Sequence, residues 1–110
     1  MNPEIEIVAH GPSGVVHYRE GPNSHTFGWE LGGGDVIVSI YVPAPDEWDA
    51  RVPWAAGRRV EILERLVSAI RRKQLLYGRV EILDRWINFR EPRAPWTLVG
   101  AWLARLKRRR

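Results

Sequence analysis

The chain has 110 residues, 45% of them apolar and none of them cysteine. This length and apolar content suit a single domain with its own core rather than a disordered segment, and the lack of thiols excludes disulfides, thiolate nucleophiles and cysteine-ligated metals. The net charge of +4 is unevenly spread: residues 92–110 hold six basic side chains (Arg93, Arg105, Lys107, Arg108, Arg109, Arg110) and no acid, which leaves 1–91 with 11 basic and 13 acidic residues.

Met1 to Val8 lacks the basic start and apolar stretch of a signal peptide. No run reaches the ~18 apolar residues of a membrane-spanning helix. A cytoplasmic protein is expected.

Glu4 to Ala9 reads as a strand, broken by Gly11-Pro12-Ser13-Gly14. Val15 to Glu20 is the second strand, ended by Gly21-Pro22-Asn23-Ser24. His25 to Leu31 is the third, with Phe27, Trp29 and Leu31 on one face. After Gly32-Gly33-Gly34, Val36 to Val42 alternates Val36, Val38, Ile40 and Val42 against Ile37, Ser39 and Tyr41. The links are too short for crossover helices, so an antiparallel meander is expected. Pro43 to Pro53 reads as a loop with room for one helical turn after Pro45.

A long amphipathic helix is expected from about Trp54 to Tyr77. Val60, Leu63, Val67 and Ile70 form its apolar stripe, and Leu66 widens it. Glu61 precedes Arg65 by four residues, the favourable order for a surface pair. Arg71, Arg72 and Lys73 suit the negative end of the helix dipole, and Gly78 is placed for a left-handed cap. Arg79-Val80-Glu81-Ile82-Leu83-Asp84-Arg85 then nearly repeats Arg59-Val60-Glu61-Ile62-Leu63-Glu64-Arg65. A strong helix stop precedes this second copy and strand formers follow it. It therefore reads as extended, in a hairpin that turns at Asp84-Arg85 and continues through Phe89. The sum is an α+β fold over 1–91: five or six antiparallel strands in the order β-β-β-β-α-β-β, with one long helix on one face. Residues 92–110 follow as a linker, a short helix over Thr97 to Leu106 and a basic tail.

Three sets of residues are candidates for function. His17 and His25 fall on adjacent strands, where the right register would let them ligate a metal with Glu30 or Asp35 nearby; a one-residue slip would separate them. Arg58 and Arg59 sit at the start of the long helix, where the dipole disfavours cations by roughly 0.3–1 kcal/mol each. Either the acids Asp46, Glu47 and Asp49 offset them, or they bind an anion between walls of Trp48 and Trp54. The last set is Leu98, Trp102, Leu106, Lys107, Arg108 and Arg109. This segment has three readings: it folds back on the sheet, it binds a protein or anionic lipid, or it contacts nucleic acid.

Catalytic patterns are weak. Gly32-Gly33-Gly34-Asp35 precedes a strand, not a helix, and so reads as a hairpin turn rather than a phosphate loop. Ser13, Ser24, Ser39 and Ser68 lack the context of a nucleophile elbow. Pairs such as Asp46 with Glu47 are ordinary in solvated loops. The expectation is a non-enzymatic binding module without cofactor, acting on a protein partner or a second copy of itself. The alternatives are a nucleic-acid-associated protein using the basic tail and a small anion- or metal-dependent enzyme.

Overall fold

The computed structural model describes residues 3–74, 76 and 78–92. Four strands, β1 (Glu4–His10), β2 (Ser13–Glu20), β3 (Asn23–Leu31) and β4 (Val36–Tyr41), form the expected meander. A connector follows, with a one-turn helix α1 (Trp48–Arg51) and a 3-10 turn (Pro53–Ala55). The long helix α2 (Arg59–Gln74) then leads to β5 (Val80–Ile82) and β6 (Trp86–Arg90). The six-stranded sheet has the order β1-β2-β3-β4-β6-β5, and every neighbouring pair is antiparallel. The chain thus returns from α2 at the far edge as β5 and folds inward so that β6 pairs with β4. The α+β class and the strand–helix–hairpin order are those expected. The segment 97–106, expected to be helical, lies outside the described residues.

The core is the seam between α2 and one sheet face. Val16, Tyr18, Phe27, Ile40, Ile87 and Phe89 rise from the sheet, while Ile62, Leu63, Leu66 and Ile70 descend from the helix. The connector closes one end of the seam with Trp48, Val52 and Ala55. The turns use glycine where φ must be positive, as at Gly11 (φ 67°) and Gly21 (φ 59°) between the first three strands.

Three features of the helical segment differ from expectation. First, α2 begins at Arg59, not Trp54. Gly57 takes a φ of 75° and donates its N–H to Asp49 Oδ1 at 2.8 Å, which breaks the chain between the 3-10 turn and the helix. Pro53 therefore heads the 3-10 turn. Second, the buried stripe is Ile62, Leu63, Leu66, Ala69 and Ile70; Val60 is 67% exposed, and Val67 is half-buried. Third, α2 stops at Gln74, so Gly78 stands too far along to cap it. Its role is steric: a Cβ there would lie 2.0 Å from the Arg90 carbonyl oxygen. The pair Glu61–Arg65 forms as expected, at 3.0 Å.

The two heptamer copies adopt different structures. The first makes the opening turns of α2; the second makes β5 and the turn to β6. They differ internally only where Glu64 is replaced by Asp84, and aspartate favours turns over helix interiors. Long-range pairing does the rest: Val80 and Ile82 lie against Phe89 and Ile87 of β6. The copies also touch. The Arg59 guanidinium donates to the carbonyls of Leu83 and Asp84, at 3.3 and 2.8 Å, and its Nε to that of Pro43 at 3.0 Å.

Candidate interaction surface

The structure separates the residues first considered for an anion site. Arg59 is consumed by the three backbone carbonyls just described. Arg58 points the other way, into carboxylates: its Nη2 lies 2.9 Å from Glu20 Oε1 and 2.6 Å from Glu61 Oε2. Arg65 joins the same pair at 3.2 Å from Glu20 and 3.0 Å from Glu61. The acids that offset Arg58 are thus Glu20 and Glu61, rather than the loop acids Asp46, Glu47 and Asp49. The fully buried Tyr18 hydroxyl donates to Glu20. Burial alone would raise the Glu20 pKa, but the Tyr18 hydroxyl and the two guanidinium groups hold it below its ordinary 4.5. Trp48 is buried with Nε1 donating to the Ala55 carbonyl at 2.9 Å. Trp54 stacks on Tyr18 and donates to the Ser24 carbonyl at 3.0 Å. The cluster ties the start of α2 to the end of β2.

The histidines are likewise apart. The β2–β3 register sets His17 opposite Thr26 and His25 opposite Tyr18, so the two imidazoles stand on opposite faces of the sheet. His17 Nδ1 is 2.9 Å from Thr26 Oγ1. His25 packs edge-on against Phe27, ring centroids 4.7 Å apart. Among the described residues no group of three or more His, Asp or Glu could hold a metal ion. Asp35, in the β3–β4 turn, is bound by Arg79 and Arg90 at 2.7 and 2.6 Å. The candidates Leu98, Trp102, Leu106, Lys107, Arg108 and Arg109 lie outside the described residues.

Burial pushes the His25 pKa below its ordinary 6.5, with the Arg51 cation adding to the effect. The unfolded chain therefore takes up the proton first. Stability is full above about pH 7, falls as pH drops below the unfolded value, and levels off once the folded value is passed. Thermal melts of the protein and of His25→Gln between pH 7.5 and 5 should show this: the native chain loses melting temperature faster on acidification. Parallel curves would mean that His25 is not the group responsible.

The surface that sequence alone missed is the sheet face turned away from α2. Val8 lies opposite Val15, and Val15 opposite Gly28. The β3–β4 register, Trp29 against Ile40, sets Gly28 beside Tyr41, and Tyr41 lies opposite Trp86. One apolar row thus crosses five strands in line. The Tyr41 and Trp86 rings are 4.0 Å apart at 42°. Tyr41 leans over Gly28, where a Cβ would meet its ring at 3.5 Å. Tyr41 is 43% exposed.

Polar rows border this line. On one side Ser39 Oγ donates to Asn88 Oδ1 at 2.7 Å, and the Glu30 carboxylate beside the Tyr41 hydroxyl raises the Tyr41 pKa. On the other side lie the bonded His17 and Thr26. Beyond Trp86, Arg85 pairs with Glu47 at 2.7 Å and Arg51 approaches the same carboxylate at 3.8 Å. Together with Thr26, Gly28, Tyr41 and Trp86, these groups line a shallow cleft of about 430 Å³.

No helix among the described residues is long and apolar enough to cross a membrane. Compared with protein-family models, curated proteins and solved structures, the chain matches none of them.

Proposed function

We propose that the protein is a non-enzymatic binding module that presents the open sheet face to a protein partner, with Tyr41 and Trp86 as its anchors. The observation that carries this reading is the apolar row from Val8 to Trp86, flanked by hydrogen-bonding side chains. Protein interfaces have this layout: an apolar centre inside a polar rim, with tyrosine and tryptophan supplying most of the energy. The rim carries both signs of charge: Glu6, Glu30 and Glu81 along the strands, and Arg51, Arg85 and Arg90 towards the β6 end. A mixed rim complements another protein surface better than it complements a polyanion, which calls for cations throughout.

The test is site-specific photo-cross-linking in expressing cells. A benzophenone amino acid replaces Thr26, beside the row, and in a control replaces Glu64, on the exposed side of α2. A discrete protein adduct is expected from position 26 only. It should vanish when Tyr41→Ser and Trp86→Ser are combined, since each anchor contributes about 2 kcal/mol, or ~30-fold in affinity. A partner that is a second copy appears as a cross-linked dimer. Nucleic-acid adducts, or protein adducts indifferent to the two serines, would overturn the proposal.

A further inference from the structure

The sheet ends on one side at β1, and the direction of that strand's backbone groups follows from its hairpin. His10 and Ser13 close the two-residue turn Gly11-Pro12, and the closing pair of such a turn exchanges its own N–H and C=O groups. Glu4, Glu6, Val8 and His10 therefore bond to β2, while Ile5, Ile7 and Ala9 turn their backbone groups outward. Two contacts agree. A Cβ on Gly14 of β2 would run into the Val8 carbonyl oxygen, and Lys73 of α2 donates to the Ile5 carbonyl at 3.0 Å. Among the described residues no backbone group pairs with the outward N–H of Ile5, Ile7 or Ala9.

Native sheets blunt such edges with proline, lysine, a bulge or a very short strand. The other edge, β5, is only 3 residues long. β1 runs 7 residues in unbroken register with β2 and contains no proline, lysine or bulge. Pro3, which has no N–H, and the Gly11-Pro12 turn bound it, so the open window is Ile5 to Ala9 with Ile7 at its centre. This window complements itself. Antiparallel pairing about Ile7 sets Ile7 against Ile7 of a second copy and Ile5 against Ala9, and every outward N–H and C=O then finds a partner. The Ile5 carbonyl has a second lone pair, so Lys73 keeps its bond. Charge selects the same register. Glu4 falls opposite His10 of the second copy, a donor for its carboxylate, with Arg19 on its other side at 3.2 Å. A shift of the pairing towards the N-terminus would set Glu6 against Glu6. In-register parallel pairing would set Glu4 and Glu6 each against itself, and like charges directly opposite destabilise.

We infer that the β1 edge joins two copies of this chain, antiparallel about Ile7, into one continuous sheet. The two-fold axis of this isologous pair stands perpendicular to the sheet, so both α2 helices lie on the same side. Ile5 and Ile7, half-buried in one chain, are covered there by their counterparts. The surface around Tyr41 and Trp86 lies on the other face and towards the other edge, so this reading and the proposed function stand or fall separately.

Sedimentation and pulsed electron paramagnetic resonance of the full chain test this. The chain has no cysteine, so Ser24→Cys carries a single nitroxide on the exposed side of β3, opposite Arg19 and hence level with Glu4. In the joined sheet the two labelled positions are five strand spacings apart across it and six residues apart along it, a separation of about 30 Å. Ala9→Pro removes an outward N–H at an edge position that tolerates proline and should give a folded monomer. His10→Glu sets a carboxylate against Glu4 and should weaken the dimer roughly tenfold; adding Glu4→Lys should restore it. A variant that merely misfolds would not be rescued in this way. Tyr41→Ser combined with Trp86→Ser should leave the dimer intact. A chain that stays monomeric up to ~1 mM, a dimer lacking the expected distance, or one indifferent to both Ala9→Pro and His10→Glu would overturn the inference. Loss of the dimer in the two-serine variant would move the contact to the open face and overturn it as well.

Discussion

Glu20→Gln is expected to lower the free energy of unfolding at pH 7 by about 2–3 kcal/mol. The substitution keeps the size of the side chain and removes only its charge. Glu20 is 10% exposed and is the shared acceptor of Arg58 and Arg65, as well as of the buried Tyr18 hydroxyl. A glutamine offers one carbonyl oxygen to these three donors and points its own N–H groups at the rest. Breaking a fully buried pair costs ~3–5 kcal/mol; here both arginines are about one-third exposed, so water recovers part of the loss.

Urea unfolding at pH 7 checks the magnitude, with an unchanged slope showing that the folded state remains compact. The pH dependence checks the cause. The folded pKa of Glu20 is depressed below 4.5, so its contribution is present above that value and fades as pH falls through the folded one. The gap between wild type and variant should therefore close in acid. A gap that persists undiminished at pH 2 would assign the loss to packing.

The strands were legible because alternation is a local property. Phe27, Trp29 and Leu31 recur every second residue, and turn residues bracket each run. The hairpin at 79–90 was legible for a different reason: Trp86 to Phe89 supplies strand formers after a helix stop, which decided a heptamer that is helical in its other copy. The start of α2 was not legible, because Gly57 needs Asp49 as a partner to break the chain, and that contact bridges a loop. The true stripe was missed with it. Val60 looks as apolar as Ile62, and only the placement of the helix on the sheet decides which of them is buried.

Sites depend on register, and register is not written locally. His17 and His25 flank a turn, and a single residue of slip decides whether they meet. Arg58 and Arg59 are adjacent in sequence yet diverge, one to Glu20 and the other to the Pro43, Leu83 and Asp84 carbonyls. Their offsetting groups lie up to 38 residues away along the chain for Arg58 and 25 for Arg59. The row from Val8 to Trp86 draws one residue from each of five strands, so no window of sequence contains it. Two signals pointed towards it all the same: Tyr41 falls on the less apolar side of β4, and Gly28 interrupts a run of large side chains in β3.

Trp48→Ala should be the most damaging single change, at about 3–5 kcal/mol. Domains of this size are stable by roughly 5–15 kcal/mol, so the variant would sit near the edge of unfolding. Trp48 is 1% exposed although it belongs to the connector between β4 and α2. Its ring fills the end of the core beside Val52 and Ala55, and its Nε1 satisfies the Ala55 carbonyl in the 3-10 turn. Truncation therefore leaves a cavity and an unpaired buried acceptor together. Trp48→Phe separates the two costs, since it keeps most of the volume and loses only the donor, for about 1–2 kcal/mol. The same connector carries Glu47 and Arg51, which line the cleft beside Tyr41 and Trp86. Loosening it should broaden the Tyr41 and Trp86 amide signals before the rest of the sheet responds. Chemical denaturation and amide spectra of the two variants give both readouts. If Trp48→Ala unfolds at the wild-type midpoint, the connector is not part of the core, and the cleft it borders loses its rigid wall.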